Sequence, residues 1–259
     1  MQVNELTTDC QHAVHEGDQS YLQGIHTMVM MKTKNVMAVS VMLAVACIAQ
    51  HGYSYDAGDW LVRGGATTVD PKSDSDDLQV NGAAVAGNTV KVGDDTQLGL
   101  TVAYMLNSNL AVELLVSTPF EHDIYGKGAT FDALDIDKVG STKHLPPTLT
   151  LQYYPLDAKS AVQPYVGIGV NYTTFFSEDT SGAVDSNFAG ADLELDDSVG
   201  LALQVGVDFA INERWFANVS VWKADIETDA EIEFDGGVLN VDDVEIDPYV
   251  YNIGIGYRF

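Results

Sequence analysis

The sequence predicts an all-β protein, an eight-stranded antiparallel transmembrane β-barrel in which each strand pairs with the next along the chain. Three observations support this fold: residues alternate between apolar and small or polar in eight segments, short and long connections alternate between those segments, and a short apolar segment precedes them. No segment after residue 50 is apolar over 18 residues, so no transmembrane helix is expected in that region.

The segment at residues 31–49 is typical of a secretory signal peptide, because two lysines precede an apolar run of 14 residues. That run is too short to span a bilayer as a helix. We expect cleavage after Ala49, and lipidation of Cys47 is the alternative. Since signal peptides begin near the start of a chain, we expect residues 1–30 to be a mis-assigned start or an extension, and residues 50–259 to be the mature barrel.

The eight alternating segments are each long enough for a tilted transmembrane strand of roughly 9–11 residues. In the sixth, every second residue from Val199 to Phe209 is apolar, and small or polar residues stand between them. The segments are 59–69, 96–105, 110–120, 143–154, 163–176, 198–210, 214–227 and 247–259. A soluble β-sandwich is the alternative, because alternation also marks sheets that pack on a shared core.

The connections indicate which end of the barrel faces outward. The short turns are 106–109, 155–161 and 211–214. The long polar loops are 70–95, 121–142, 177–197 and 228–246. Short periplasmic turns with long outer loops are typical of bacterial outer-membrane barrels. We therefore expect a bacterial outer-membrane location, with both ends of the barrel domain on the periplasmic side.

The charge of the chain limits its partners. The 12 lysines and arginines against 38 acidic residues give a net charge of −26, which excludes nucleic-acid binding. Many of the acidic residues lie in the long loops, which we expect to be solvated and to attract divalent ions bound to lipopolysaccharide. None of these loops has the ligand order of an EF-hand, so we expect neither a metal site nor a cofactor.

The inward positions of the strands carry a mixed set of side chains. An eight-stranded barrel is nearly filled by its own side chains, so a wide water channel is not expected. The charged inward residues, which we expect to pair and either plug the lumen or conduct ions, are Arg63, Glu113, Asp208 and Arg258. The large apolar inward residues are Leu115 and Trp222, joined by Leu61, Val69 and Ile226. An apolar concavity with a few polar groups is the usual form of a ligand site. The sequence thus predicts a pocket for a small hydrophobic or amphipathic molecule, with plain packing of the interior as the alternative.

Prolines interrupt the fourth predicted strand, "HLPPTLTLQYY" at 144–154. Pro146 and Pro147 have no N–H group, and consecutive strand residues direct their N–H groups to opposite neighbours. We therefore expect a hydrogen bond to be missing on each side of this strand. Pro119 lies near the same outer end of the third strand. The cluster either ends the sheet at the rim or leaves a lateral opening through which an apolar ligand can enter the membrane.

Catalysis is not expected. Enzymes of this architecture need a nucleophile and a base, usually serine with histidine. The histidines after the apolar run of the signal peptide are His51, His122 and His144, and none stands beside a serine motif such as G-x-S-x-G.

Several long motifs resemble the OmpW family of outer-membrane proteins. They are "DAGDWLVRGGATTVDP" (56–71), "TQLGLTVAYM" (96–105), "NLAVELLVSTPFEHDI" (109–124), "HLPPTLTLQYY" (144–154), "PYVGIGVNYTTFF" (164–176), "QVGVDFAINERWFANVSVWKADIET" (204–228) and "GIGYRF" (254–259). The resemblance implies an eight-stranded barrel with a narrow, partly hydrophobic lumen that passes small hydrophobic molecules across the outer membrane. The terminal aromatics Tyr257 and Phe259 are similar to the signal by which the outer-membrane assembly machinery recognises its substrates.

We expect a monomer in contact with the lipid bilayer and lipopolysaccharide. The alternative function is that of a structural or receptor protein, with a sealed barrel and acidic loops that bind outside partners. Bilayer conductance together with growth on limiting hydrophobic substrates separates this function from transport.

Overall fold

The computed structural model describes residues 55–259, so the predicted extension 1–30, the predicted signal peptide 31–49 and the predicted start of the mature chain at residue 50 lie outside the described residues. The described part forms sixteen strands and two short helices. The strands are β1 (Trp60–Asp70), β2 (Gln79–Val80), β3 (Ala83–Ala84), β4 (Thr89–Val92), β5 (Asp95–Asn107), β6 (Leu110–Ser117), β7 (Phe120–Lys127), β8 (Lys138–Leu145), β9 (Thr148–Tyr153), β10 (Val162–Thr180), β11 (Asp192–Leu195), β12 (Ser198–Ala210), β13 (Trp215–Ala224), β14 (Glu227–Phe234), β15 (Gly237–Glu245) and β16 (Tyr249–Arg258). The helices are α1 (Ala129–Ala133) and α2 (Gly182–Asn187). Neither of these helices is long and apolar enough to cross a membrane.

Eight strands close into an antiparallel barrel, which confirms the predicted fold. Their order around the barrel is β1, β5, β6, β9, β10, β12, β13 and β16, and β16 pairs with β1 to close it. Each barrel strand therefore neighbours the next one along the chain. The registers are long and regular: Gly64 of β1 lies opposite Ile255 on one side and Leu100 on the other.

The outer surface of the barrel is apolar because the strands alternate with a period of two. Val199 and Leu201 in β12 and Ile253 in β16 are at least 60% exposed. A large contiguous apolar surface of this kind faces lipid rather than water. At the periplasmic end it is bordered by aromatic pairs whose ring centroids lie 4.7 to 4.9 Å apart, namely Trp60–Tyr104, Trp215–Tyr257 and Tyr257–Phe259.

The long connections are folded, which corrects the prediction of solvated loops. Strands β4, β7 and β8 form a sheet with the outer part of β10, which is 19 residues long and continues beyond the barrel. Strands β11, β14, β15, β2 and β3 form a second sheet. We call these two sheets and the two helices the extracellular extension.

The extension folds because its acidic segments also alternate with a period of two. Leu193 and Ile232 lie opposite each other between β11 and β14, and both are buried. Their neighbours Asp192, Glu194 and Glu233 are exposed. The acidic side chains thus face solvent on the outer surface, whereas the apolar side chains between them form a hydrophobic core. The high content of acidic residues indicated loops, but the apolar residues that alternate with them form strands.

Two predicted strands are each divided in two. The segment 110–120 consists of β6, which ends at Ser117, and β7, which begins at Phe120. The segment 143–154 consists of β8, which ends at Leu145, and β9, which begins at Thr148. The breaks coincide with the prolines and lie side by side, where the barrel meets the extension.

Candidate functional site

A buried arginine occupies the periplasmic half of the barrel interior. Arg63 donates from Nε and Nη2 to the two carboxylate oxygens of Asp208, at 3.1 and 2.7 Å, and from Nη1 to Oε2 of Glu113 at 2.7 Å. The exposed fractions of these three side chains are 2%, 0% and 1%. Buried charges are tolerated only when they are paired and hydrogen-bonded, so the three side chains hold one another in place.

Neighbouring side chains complete this group, which we call the Arg63 network. Further donors to the two carboxylates are Tyr55, Asn218 and Gln204. The Arg63 guanidinium also lies 5.3 and 5.4 Å from the ring centroids of Tyr165 and Phe216. Gly206 and Gly256 provide the space for these rings, because a Cβ atom at either position would overlap with them. The network and its rings occupy the lumen at this level of the barrel.

Leu61, which was predicted to line the pocket, and Arg258, which was predicted to pair with the other inward charges, are both at the periplasmic end. Leu61 is fully buried in an apolar cluster with Tyr55 and Phe216, on the far side of the Arg63 network from Trp222. Arg258 forms an ion pair with Asp59 at 3.4 Å rather than with Glu113 or Asp208. The alternation predicts that both side chains point inward, but it does not predict their position along the barrel axis. Leu61 stands eight positions before Val69 on the same strand, about 26 Å away at roughly 3.3 Å per residue.

An apolar cluster fills the outer half of the barrel above the polar residues. Leu115 and Trp222 lie in it, and both are at least 95% buried. The other members are Val69, Phe120 and Val250. They line a cavity of about 20 Å³, the lower cavity, which Ile226 also borders. This volume is close to the space of a single water molecule, so a larger guest requires the lining side chains to move.

A second, larger cavity lies in the hydrophobic core of the extension. This upper cavity measures about 70 Å³, and its lining is almost wholly apolar. His144 and Ile226 line both cavities and so form the junction between them. The apolar tract therefore continues from the extension into the outer half of the barrel and stops above the Arg63 network.

Two histidines meet at this junction. His122 Nε2 and His144 Nε2 are 2.9 Å apart, and His122 Nδ1 lies 2.6 Å from the carbonyl oxygen of Gly93. The His144 ring packs between Phe120 and Phe175, with centroid distances of 5.4 and 5.9 Å. Its Nδ1 atom is buried and has no hydrogen-bond partner.

Burial favours the neutral form of both histidines. Burial first, and the neighbouring His122 second, lower the pKa of His144 to about 3, against the raising effect of Asp95. Burial also lowers the pKa of His122, against the raising effects of the Gly93 carbonyl and of Asp95, Asp94 and Asp123. Folding therefore disfavours the protonated form of both imidazoles.

Acidification should loosen the extension before the barrel. An unfolded histidine binds a proton below about pH 6.5, but folded His144 resists protonation until about pH 3, so stability is present above pH 6.5 and declines as the pH falls toward 3. One such histidine contributes up to about 1.4 kcal/mol per pH unit within this window. Amide hydrogen exchange, corrected for its intrinsic pH dependence, should show faster opening of β7 and β8 at about pH 5 than at pH 7.

Strand β13 serves as the internal reference, since it contains no histidine. The variant His144→Phe should flatten the pH dependence in β7 and β8. Equal protection of these strands at both pH values in the unaltered protein would contradict the prediction.

The seam between the third and fourth strands of the barrel is interrupted at its outer end. Pairing of β6 with β9 stops at Leu115 and Thr148, and pairing of β7 with β8 begins at Phe120 and His144. Residues 116–119 and 145–147 do not pair across the seam; Thr118 instead donates its N–H to Leu98 of β5. Ser117 and Pro146, on opposite sides of the break, both line the lower cavity. Pro119, by contrast, is exposed.

The interruption is one-sided, whereas the sequence predicted a loss on both sides of the strand. Tyr172 of β10 donates its N–H to the carbonyl oxygen of Pro147 at 3.0 Å. The Pro146 carbonyl accepts from the side chains of Asn171 and Thr148, at 3.3 and 3.0 Å. Proline lacks a donor but keeps its acceptor, so the carbonyls hold this strand to β10 while the other seam stays open.

The histidine pair and the upper cavity were missed by the sequence analysis. The segment "FEHDIYGK" could have indicated a strand with a buried histidine, because Phe120, His122 and Ile124 alternate with polar residues. Within residues 55–259 there is no group of three or more potential metal-ligating side chains.

The chain is similar to known outer-membrane proteins over its whole described part. The OmpW family model matches residues 56–259. Outer membrane protein W of Vibrio cholerae is 44% identical over 207 residues, which cover 80% of this chain and 91% of that protein. The dibenzothiophene metabolism operon protein PahQ of Pseudomonas aeruginosa is 30% identical over 217 residues, covering 82% of this chain and 94% of PahQ.

The fold is also similar to that of a solved structure. The crystal structure of the outer membrane protein OprG from Pseudomonas aeruginosa superposes with a TM-score of 0.74 at 44% sequence identity. The match covers 80% of this chain and 98% of OprG.

Proposed function

Since the chain belongs to the OmpW family and forms a β-barrel of the bacterial outer membrane, we propose that it takes up small hydrophobic or amphipathic molecules through that membrane. In this proposal a molecule enters the apolar extension, passes His144 into the lower cavity between Leu115 and Trp222, and leaves sideways into the lipid between β6 and β9.

The observation that carries the proposal is the course of the apolar tract. It joins the upper cavity to the lower cavity, reaches Ser117 and Pro146 at the interrupted seam, and meets the closed Arg63 network below. A guest in the lower cavity therefore has an apolar route to lipid and a charged barrier toward the periplasm. PahQ is named for an operon of dibenzothiophene metabolism, and dibenzothiophene is an apolar aromatic heterocycle.

We propose uptake without catalysis. Ser117 and His144 both line the lower cavity, which would suit a nucleophile and its base. However, Ser117 Oγ and His144 Nδ1 each lack any hydrogen-bond partner, so they do not form the contact by which a histidine activates a serine. A labelled-phospholipid acyl-transfer assay on the refolded protein should give no turnover.

The remaining partners are proposals as well. The acidic outer surface of the extension fits divalent ions held by lipopolysaccharide, and the exposed Phe259 at the end of the last strand is accessible to the assembly machinery. The closed ring of eight strands leaves no unpaired barrel edge, so we propose a monomer.

The small volume of the lower cavity, about 20 Å³, favours a second candidate, a sealed barrel that acts as a receptor.

A covalent bridge across the interrupted seam distinguishes uptake from the receptor function. In refolded protein with Cys10 and Cys47 replaced by Ser, the variant Ser117→Cys, Pro146→Cys is treated with a short bifunctional thiol reagent. Under the uptake proposal, bridging should reduce uptake of N-phenylnaphthylamine into lipid vesicles that contain the refolded protein to the level of vesicles without the protein.

A reducible bridge provides one control, because adding a reductant should restore uptake. The matched control is Leu114→Cys, Leu149→Cys on the same seam, where the two residues already pair and face lipid. Bridging that pair should leave uptake unchanged. Undiminished uptake after bridging residues 117 and 146 would rule out the lateral route, and absence of uptake in every variant would favour the sealed receptor.

A further inference from the structure

The histidine pair has only one possible direction of hydrogen bonding when both rings are neutral. The Gly93 carbonyl can only accept, so His122 Nδ1 carries the proton of that ring. His122 Nε2 is then an acceptor, and the proton between the rings belongs to His144 Nε2. His144 Nδ1 is therefore left with a lone pair and no proton.

The Nδ1 atom that carries this lone pair is buried where the two cavities meet. His144 is 4% exposed and lies at the junction of the two cavities. The lining of the upper cavity is almost wholly apolar, and that of the lower cavity is mainly apolar but also includes Thr67, Ser117, Thr148 and Asn171. His144 Nδ1 is one of five buried side-chain atoms without a partner in the described part of the chain. A buried acceptor without a donor is unfavourable, so a ligand that supplies a donor there gains more than one that does not.

We propose that His144 selects, among small apolar molecules, those that carry a neutral hydrogen-bond donor such as a phenol or an alcohol, by accepting that donor at Nδ1. The inference rests on the proposed uptake function and names the ligand class that the apolar tract prefers. A cationic donor is disfavoured, since no carboxylate lines either cavity.

A second unpaired atom supports a hydroxyl as the preferred group. Trp222 lines the lower cavity, and its Nε1 atom is buried and also lacks a partner. An indole N–H only donates, and a hydroxyl oxygen both donates and accepts. A hydroxyl can therefore satisfy either atom, whereas an ether oxygen can satisfy only Trp222.

Three naphthalene probes of similar shape test the inference on the full-length chain refolded in nanodiscs. 2-Naphthol carries a donor, 2-methoxynaphthalene carries only an acceptor, and 2-methylnaphthalene carries neither. We expect 2-naphthol to bind about tenfold more tightly than either of the others, after subtraction of partitioning into empty nanodiscs. This ligand-side comparison requires no substitution and so does not depend on the folding of a variant.

The variant His144→Phe keeps an aromatic ring between Phe120 and Phe175 and should abolish the preference for 2-naphthol. Trp222→Phe is the matched control, which should retain the preference of 2-naphthol over 2-methoxynaphthalene. If all three probes bind equally to the unaltered chain, the inference fails and the uptake proposal stands. If the preference persists in His144→Phe, the inference fails too. If none of the probes binds, both fail.

Discussion

Replacing Arg63 by Ala should lower the free energy of unfolding of the barrel by about 3–5 kcal/mol. The substitution leaves the carboxylates of Glu113 and Asp208 buried without the cation that contacts both at 2.7 Å. The remaining donors to these carboxylates are neutral, so they cannot compensate the charge. Urea unfolding of the refolded protein in lipid vesicles, followed by tryptophan fluorescence, measures the difference.

The matched control removes all three charges together. In the triple variant Arg63→Met, Glu113→Gln, Asp208→Asn, no charge remains in the Arg63 network, and replacing a buried ion group by neutral side chains of similar volume often costs little stability. This variant should therefore be clearly more stable than Arg63→Ala. If Arg63→Ala unfolds at the same urea concentration as the unaltered chain, the network does not stabilise the barrel.

Replacing Trp222 by Ala should increase the uptake of apolar molecules without creating an ion channel. The substitution joins the space of the indole ring to the lower cavity, which measures only about 20 Å³ in the unaltered protein. The Arg63 network below remains closed, so single-channel conductance should stay at background. Uptake of N-phenylnaphthylamine into outer-membrane vesicles and planar-bilayer recordings measure the two quantities.

The control for Trp222 is Trp60, which lies on the outer surface of the barrel at its periplasmic end and is 49% exposed. Trp60→Ala removes the same atoms without touching the interior and should leave uptake unchanged. Removal of the buried Trp222 side chain should also cost about 3–5 kcal/mol of stability. Unaltered uptake in a folded Trp222→Ala barrel would exclude this side chain as the constriction.

The face of each barrel residue could be predicted from the sequence, because a strand alternates with a period of two wherever its outer side meets lipid. This placed Arg63, Glu113 and Asp208 inside the barrel, and charges inside a barrel must pair. The prediction that Leu61 lines the pocket and the prediction that Arg258 pairs with the other inward charges were wrong, because the alternation does not give the position of a residue along the barrel axis. That position depends on the register between strands, which is set by pairing over the whole sheet.

The extension could not be predicted from the same pattern. Its strands are short, and β2, β3 and β11 have at most four residues, so the alternation is brief and is masked by the acidic side chains. The contact between His122 and His144 depends on the register of β7 with β8 across a connection that includes α1. A single sequence does not give this register, so the contact between the two histidines could not be predicted.

The alternation in the extension gives the protein two surfaces that can change independently of each other. Asp192, Glu194 and Glu233 face the surroundings of the cell, whereas Leu193 and Ile232 between them face the upper cavity or its core. A macromolecule that approaches the extension from outside can contact only the first set. Substitutions of the exposed acidic residues therefore change the outer surface of the extension and leave the lining of the upper cavity unchanged.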